Sequence, residues 1–146
     1  MTYHELMAKI KELPGWTWEC KTGDRVWVES VKQEGIVLHV DTDGLIQVYL
    51  YGNLHVQRFA PEQLTPLPSG EQLDKKFREF DDRPSSVLYI DGHLHSNWRE
   101  PYFASWDNPQ RNHHHVVGED FASVIAILYA RVVLGYKLEG KEFVKC

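Results

Sequence analysis

Residues 23–59 read GDRVWVESVKQEGIVLHVDTDGLIQVYLYGNLHVQRF. Apolar and polar side chains alternate in the first of these runs, and β-branched or aromatic residues crowd Ile36–Val40, Ile46–Tyr51 and Leu54–Phe59. The period is therefore two, and the expected state is strand. Reversals are expected at Gly35, Asp43-Gly44 and Gly52-Asn53, since glycine, aspartate and asparagine accept the backbone angles of tight turns. Four or five short strands at roughly ten-residue spacing predict a small antiparallel barrel rather than parallel βαβ units.

Upstream, Thr2 and Glu5 form a Thr-x-x-Glu capping box, and Leu6, Ile10 and Leu13 follow at helical spacing until Pro14-Gly15 ends the run. Downstream, Pro61–Leu64 reads as a single turn leading to a last short strand. Pro66, Pro68, Ser69 and Gly70 mark a linker, so the expected organisation is an N-terminal helix plus barrel over 1–68 and an α+β lobe over 69–146. In that lobe Ser69 and Gln72 open a helix over 70–80 carrying Leu73, Phe77 and Phe80. Asp91-Gly92, flanked by β-formers, predicts a hairpin over 86–96. An irregular loop is expected over 97–117. The run FASVIAILYARVVL (121–134) predicts a helix over 119–134, with acids at its start and Gly135 as its stop. Only Ser123 and Arg131 interrupt its apolar surface, so it must be covered on most sides and forms the expected core of the lobe. YKLEGKEFV (136–144) ends the chain as strand or turn. The expected fold class is α+β.

Residues 23–67 resemble the SH3-like small barrels of the Tudor and KOW type, through GDRVWV, GIVLHV, IQVYLY and the strand, turn and short strand of VQRFAPEQLTPL. The resemblance implies the barrel fold and a binding role, since similar barrels take proteins, methylated side chains, nucleic acids or small ligands. The plasmid-type dihydrofolate reductases share the Gly-Asp-Arg-Val start and a Val-Gln-x-aromatic run, here Val56–Phe59. Val28, however, stands where that family has its substrate-facing lysine, and Phe59 where it has tyrosine, so none of its catalytic residues carries over. IDGHLHS (90–96) resembles the metal-binding opening of polymerase-and-histidinol-phosphatase type phosphoesterases, but only 51 residues follow His95, too few for their large barrel.

The net charge of −5 in 146 residues is shared evenly: residues 1–68 carry six basic and nine acidic side chains, residues 69–146 ten and twelve. Neither part has the basic excess that binding to a phosphate backbone uses, so nucleic acid is disfavoured as a partner. Cys20 and Cys146 provide neither a disulfide framework nor a thiolate zinc pattern, which fits a reducing cytoplasm. The opening MTYHELMAKIKELPG is too charged for a signal-peptide core, and the apolar stretch Phe121–Tyr136 is too short for a membrane span.

Five of the eight histidines fall in 89–98 and 112–120. An Asp91-Gly92 turn would pair Ile90 with His93 and Leu88 with His95 and aim both imidazoles the same way. His113, His115 and Glu119 could complete a site for zinc or another divalent transition metal. No nucleophile elbow or Gly-rich phosphate loop accompanies Ser96 or Ser105. The aromatics suggest a different role. Trp98, Arg99, Tyr102 and Trp106 belong to the residue types enriched at protein-interface hot spots. On the barrel, Gln47, Tyr49 and Tyr51 share one face of a strand whose other face carries Val48 and Leu50. The preferred expectation is a cofactor-free, non-enzymatic protein-interaction module binding a basic partner. A small metal-dependent hydrolase using the histidines and a nucleic-acid-binding barrel are its alternatives.

Overall fold

Alternation puts Val26 and Val28 on one face of β1 (Arg25–Val28), and both are fully buried. The computed structural model describes residues 1–52, 54–80, 87–91, 102–107, 113–118 and 120–146. It mixes helix and sheet in two units, 1–12 with 16–68 and 13–15 with 69–146.

In the first unit β1 pairs antiparallel with β2 (Gln33–Val40), which pairs with β3 (Ile46–Leu50), which pairs with β4 (His55–Phe59). A 3-10 turn at Pro61–Gln63 then leads into β5 (Leu64–Pro66), which returns to the free side of β1. The order is β4-β3-β2-β1-β5, and among the described residues the sheet stays open, with β4 and β5 as its edges. Val26, Val28, Val37, Ile46, Val48, Leu50, Phe59 and Leu64 form its buried face.

Helix α1 (Tyr3–Lys11) starts at Thr2, whose hydroxyl accepts the Glu5 N–H at 3.3 Å, and buries Leu6, Met7 and Ile10. It lies against β5. At its end the Lys11 ammonium donates to the carbonyls of Glu62 (2.9 Å) and Leu64 (2.7 Å), fastening helix to strand.

One expected turn is misplaced. Gly35 lies inside β2, opposite Leu50 of β3, and the reversal between β1 and β2 occurs at 29–32, where Lys32 takes φ +52°. The Lys32 ammonium donates to the Glu29 carboxylate at 2.8 Å across this reversal, and that bond, together with one from the Trp27 indole, holds the Glu29 carboxyl below its usual range. Gly35 is needed for a different reason. A Cβ there would stand 2.5 Å from the Tyr49 carbonyl oxygen and 2.6 Å from Val48 Cγ1. Beyond it the β2–β3 register shifts between Val37 and His39, so Leu38 is the extra residue of a bulge.

In the second unit α2 (Gly70–Phe80) opens on reciprocal bonds: the Ser69 N–H donates to Gln72 Oε1 (2.9 Å) and the Gln72 N–H to Ser69 Oγ (3.1 Å). Leu73 and Phe77 are buried, whereas Phe80, expected on the same face, is 52% exposed. Helix α3 (Phe121–Tyr129) is capped by Asp120, which accepts the Ser123 N–H at 3.0 Å. It packs on α2, where Phe77 meets Tyr129 edge-on at 5.8 Å. The final turn, Ala130–Leu134, is a wider π turn, closed where the N–H of left-handed Gly135 reaches the Ala130 carbonyl.

The region expected to be hairpin and loop holds a three-stranded sheet instead: β6 (Val87–Asp91), β7 (Tyr102–Asp107) and β8 (His113–Gly118), in that order. Leu88 pairs with Trp106, Ile90 with Ala104 and Asp91 with Phe103; His93 and His95, the expected partners of Ile90 and Leu88, lie outside the described residues. The expected irregular loop over 97–117 is thus strand at 102–107 and 113–118. Helix α3 covers β7 and β8. The 136–144 run becomes a hairpin of β9 (Tyr136–Glu139) and β10 (Glu142–Lys145), turning at left-handed Gly140.

Gly35→Ala is expected to lower unfolding stability by about 1–3 kcal/mol, the range for forcing atoms into a filled site. Gly70→Ala should do the same in the second unit, because its Cβ would run into the ring of Phe121. Urea unfolding checks both: midpoints should fall while the slopes stay unchanged.

Candidate functional site

Strand β3 alternates as the sequence suggests. Ile46, Val48 and Leu50 are buried, and Gln47 and Tyr49 point to the other side, half-exposed. Pairing carries this outer face across the sheet: Ile36 of β2 and Val56 of β4 stand on either side of Tyr49, and Arg58 stands beside Gln47. Tyr51, just past the strand, is 46% exposed and meets Tyr49 edge-on with ring centroids 6.1 Å apart. Val56 is 52% exposed and Leu54 72%. One end of the face is therefore an open aromatic and aliphatic surface.

The other end is polar and organised by Asp41. This half-buried carboxylate accepts the Gln47 amide at 2.9 Å, lies 3.3 Å from Arg58 Nε and 3.8 Å from His39 Nε2. The Asp41 backbone also closes the β2–β3 reversal, its N–H donating to Leu45 and its carbonyl accepting from Gly44. Gln47 is thus held in place by a neighbour within the unit. Strand β4 is an edge, and of its residues only Phe59 is buried; His55, Val56, Gln57 and Arg58 are all exposed.

The remaining aromatics of the first unit divide. Phe59 is core. Trp27 is covered by the His4 ring, stacked 3.7 Å away and 6° from parallel, and its indole N–H donates to Glu29. Trp16 and Trp18 lie with their rings 5° from parallel and centroids 6.0 Å apart. Tyr3 donates its hydroxyl to the Pro68 carbonyl. That leaves Tyr49 and Tyr51 on the outer face, joined by Val56, which inspection of single strands passes over. Their signal lies in the register: the Gly52 turn sets Val56 opposite Tyr49, and the pair is legible only once both strands are aligned.

In the second unit Tyr102 is half-buried with its ring 5.9 Å from that of Phe121, against α3. Trp106 occupies β7 between Leu88 and His114. His113 and His115 are on β8, in register with Asp107 and Ser105. His93, His95, Trp98, Arg99 and Glu119, and with them the other half of the histidine site and of the aromatic loop, lie outside the described residues. Among the described residues no three metal-capable side chains come together, and no helix is long and apolar enough to cross a membrane.

No protein-family model, curated protein or solved structure matches the chain.

Asp41→Ala should cost about 1–2 kcal/mol, because it strands a half-buried amide as well as removing an ion pair. Asp41→Asn retains an oxygen for Gln47 and loses only the largely exposed pairing with Arg58, so it should cost less than about 1 kcal/mol. Thermal unfolding of the two variants side by side separates these contributions.

Proposed function

We propose that the chain is a non-enzymatic protein-interaction module of the adaptor or inhibitor type, acting in the cytoplasm, and that its first unit is an SH3-like small barrel of the Tudor or KOW type. The barrel reading is supported by the antiparallel meander of four strands and by the 3-10 turn that delivers a fifth strand to the far side of the first. The functional reading rests on one observation: Tyr49, Tyr51 and Val56 make an exposed aromatic and aliphatic surface beside an open sheet edge. Such a surface buries area when a partner chain covers it, and tyrosines do so at low side-chain entropy cost while offering a hydroxyl for hydrogen bonding. The edge strand beside it suits an extended partner segment. The six basic and nine acidic side chains of residues 1–68 favour a basic partner and speed its approach at low salt. The same balance speaks against a phosphate backbone as ligand.

Tyr51→Ala combined with Val56→Asp removes the apolar surface without touching a buried group. The expected result is that proteins retained by the wild-type chain at low salt are lost, while the thermal midpoint stays within a few degrees. Retention of the same proteins by a folded double variant would remove the surface from consideration. Unfolding of the variant would instead assign these side chains to packing.

A further inference from the structure

A second feature of the first unit is a recess of about 720 Å³, bounded by the extended segment 16–22, by the β2–β3 end at Val40 and Ile46, and by Pro61 and Leu64 at the entry to β5. That volume falls within the roughly 300–1,000 Å³ of small-molecule sites. Trp16, Trp18 and Cys20 of this segment line the recess and are half-buried, and the exposed Glu19 stands at it too. The two indoles lie 5° from parallel with centroids 6.0 Å apart, so this side of the recess is aromatic.

The lining of the recess holds more ammonium groups than carboxylates, unlike the chain as a whole. Among the side chains that line it, Lys11 and Lys21 stand against one carboxylate, Glu19; behind the lining Asp24 acts on Cys20 and Asp41 lies 3.8 Å from His39, in a protein of net charge −5. Lys11 is the more informative of the two. Its ammonium is fixed by two backbone carbonyls, which use two of its three protons and neutralise none of its charge. The Cys20 thiol beside it is pushed up to about 11, by burial first and then by Asp24, with Lys11 acting in the opposite direction. At neutral pH the thiol is therefore an uncharged group on the recess lining and does not compete for the two lysines.

We propose that this recess binds a small planar aromatic anion, its ring laid against the Trp16 and Trp18 wall and its anionic group directed to Lys11 and Lys21. The aromatic lining suits a ring, the volume a single small molecule, and the two ammonium groups negative charge. This site uses none of the outer-face residues, so it stands or falls independently of the partner surface around Tyr51 and Val56.

The full chain is titrated with 1-anilinonaphthalene-8-sulfonate and, in parallel, with uncharged N-phenyl-1-naphthylamine. In a Cys146→Ser background, alkylation of Cys20 by iodoacetamide reports occupancy of the recess itself. The alkylation rate of the unliganded chain should climb with pH until about 11 as the thiolate forms. The proposal expects the anionic dye to saturate at one site per chain and to slow Cys20 alkylation at a fixed pH. Trp18→Leu should weaken it roughly tenfold or more, the scale of one lost ring stack. Lys21→Glu, at an exposed position, should weaken the anion several-fold at low salt and leave the uncharged dye unaffected. Dye uptake without Cys20 protection, or equal affinity for the anion in wild type and Lys21→Glu, would overturn it. Should Trp18→Leu fail to fold, Lys21→Glu and the Cys20 reporter decide the matter alone.

Discussion

Strand β1 is four residues long and is paired on both sides, with β2 through Arg25–Val28 and with β5 through Val26–Val28. The first unit depends on that double pairing. Because β5 is held there, the Leu67 N–H can reach the Arg25 carbonyl, and the carbonyls of Glu62 and Leu64 face the end of α1 where Lys11 takes them. Val26 and Val28, at zero exposure, are the side chains through which the strand joins the core, and neither position tolerates a polar substitute without an unsatisfied buried group. The outer face and the recess both inherit their geometry from this arrangement: one from the far strands β3 and β4, the other from the turn into β5.

Much of this unit is legible in the residues. The alternation of Ile46, Val48 and Leu50 against Gln47 and Tyr49 assigns faces without reference to anything distant, because a half-buried strand must sort its side chains by solvent. The Thr2 and Ser69 caps are equally local, since each is a bond between residues three apart. Gly35 is different. A glycine in a sequence of strands suggests a turn, but its requirement here comes from the carbonyl of Tyr49, fourteen positions away, and close approach between backbones leaves no local mark. Asp41 is hidden for the same reason: its role as the anchor of Gln47 and Arg58 exists only after β2, β3 and β4 are in register.

The second unit shows where local signals are overruled. Asp91-Gly92 has the composition of a tight turn, yet Asp91 extends β6 and faces Phe103. The competing influence is α3, whose buried Val124, Ile125, Ala126 and Leu128 call for a broad apolar cover. A sheet of three strands provides more of it than a single hairpin can, and α2 with Phe77 closes another side. The helix itself was plain from composition. Its widened last turn was not, because that depends on the left-handed Gly135 choosing the Ala130 carbonyl.

The return of β5 also sets a timetable for folding. The pairs β1–β2, β2–β3 and β3–β4 join neighbours in the chain, whereas Val26 meets Pro66 about forty residues later. Closing that loop costs chain entropy before any contact repays it, so the meander is expected to assemble before the fifth strand docks. In the interval the free side of β1 is an unpaired edge bearing two valines, able to accept a strand from another molecule. Lys11 shortens the exposure, since the helix end that captures the Glu62 and Leu64 carbonyls helps to retain β5 once it arrives.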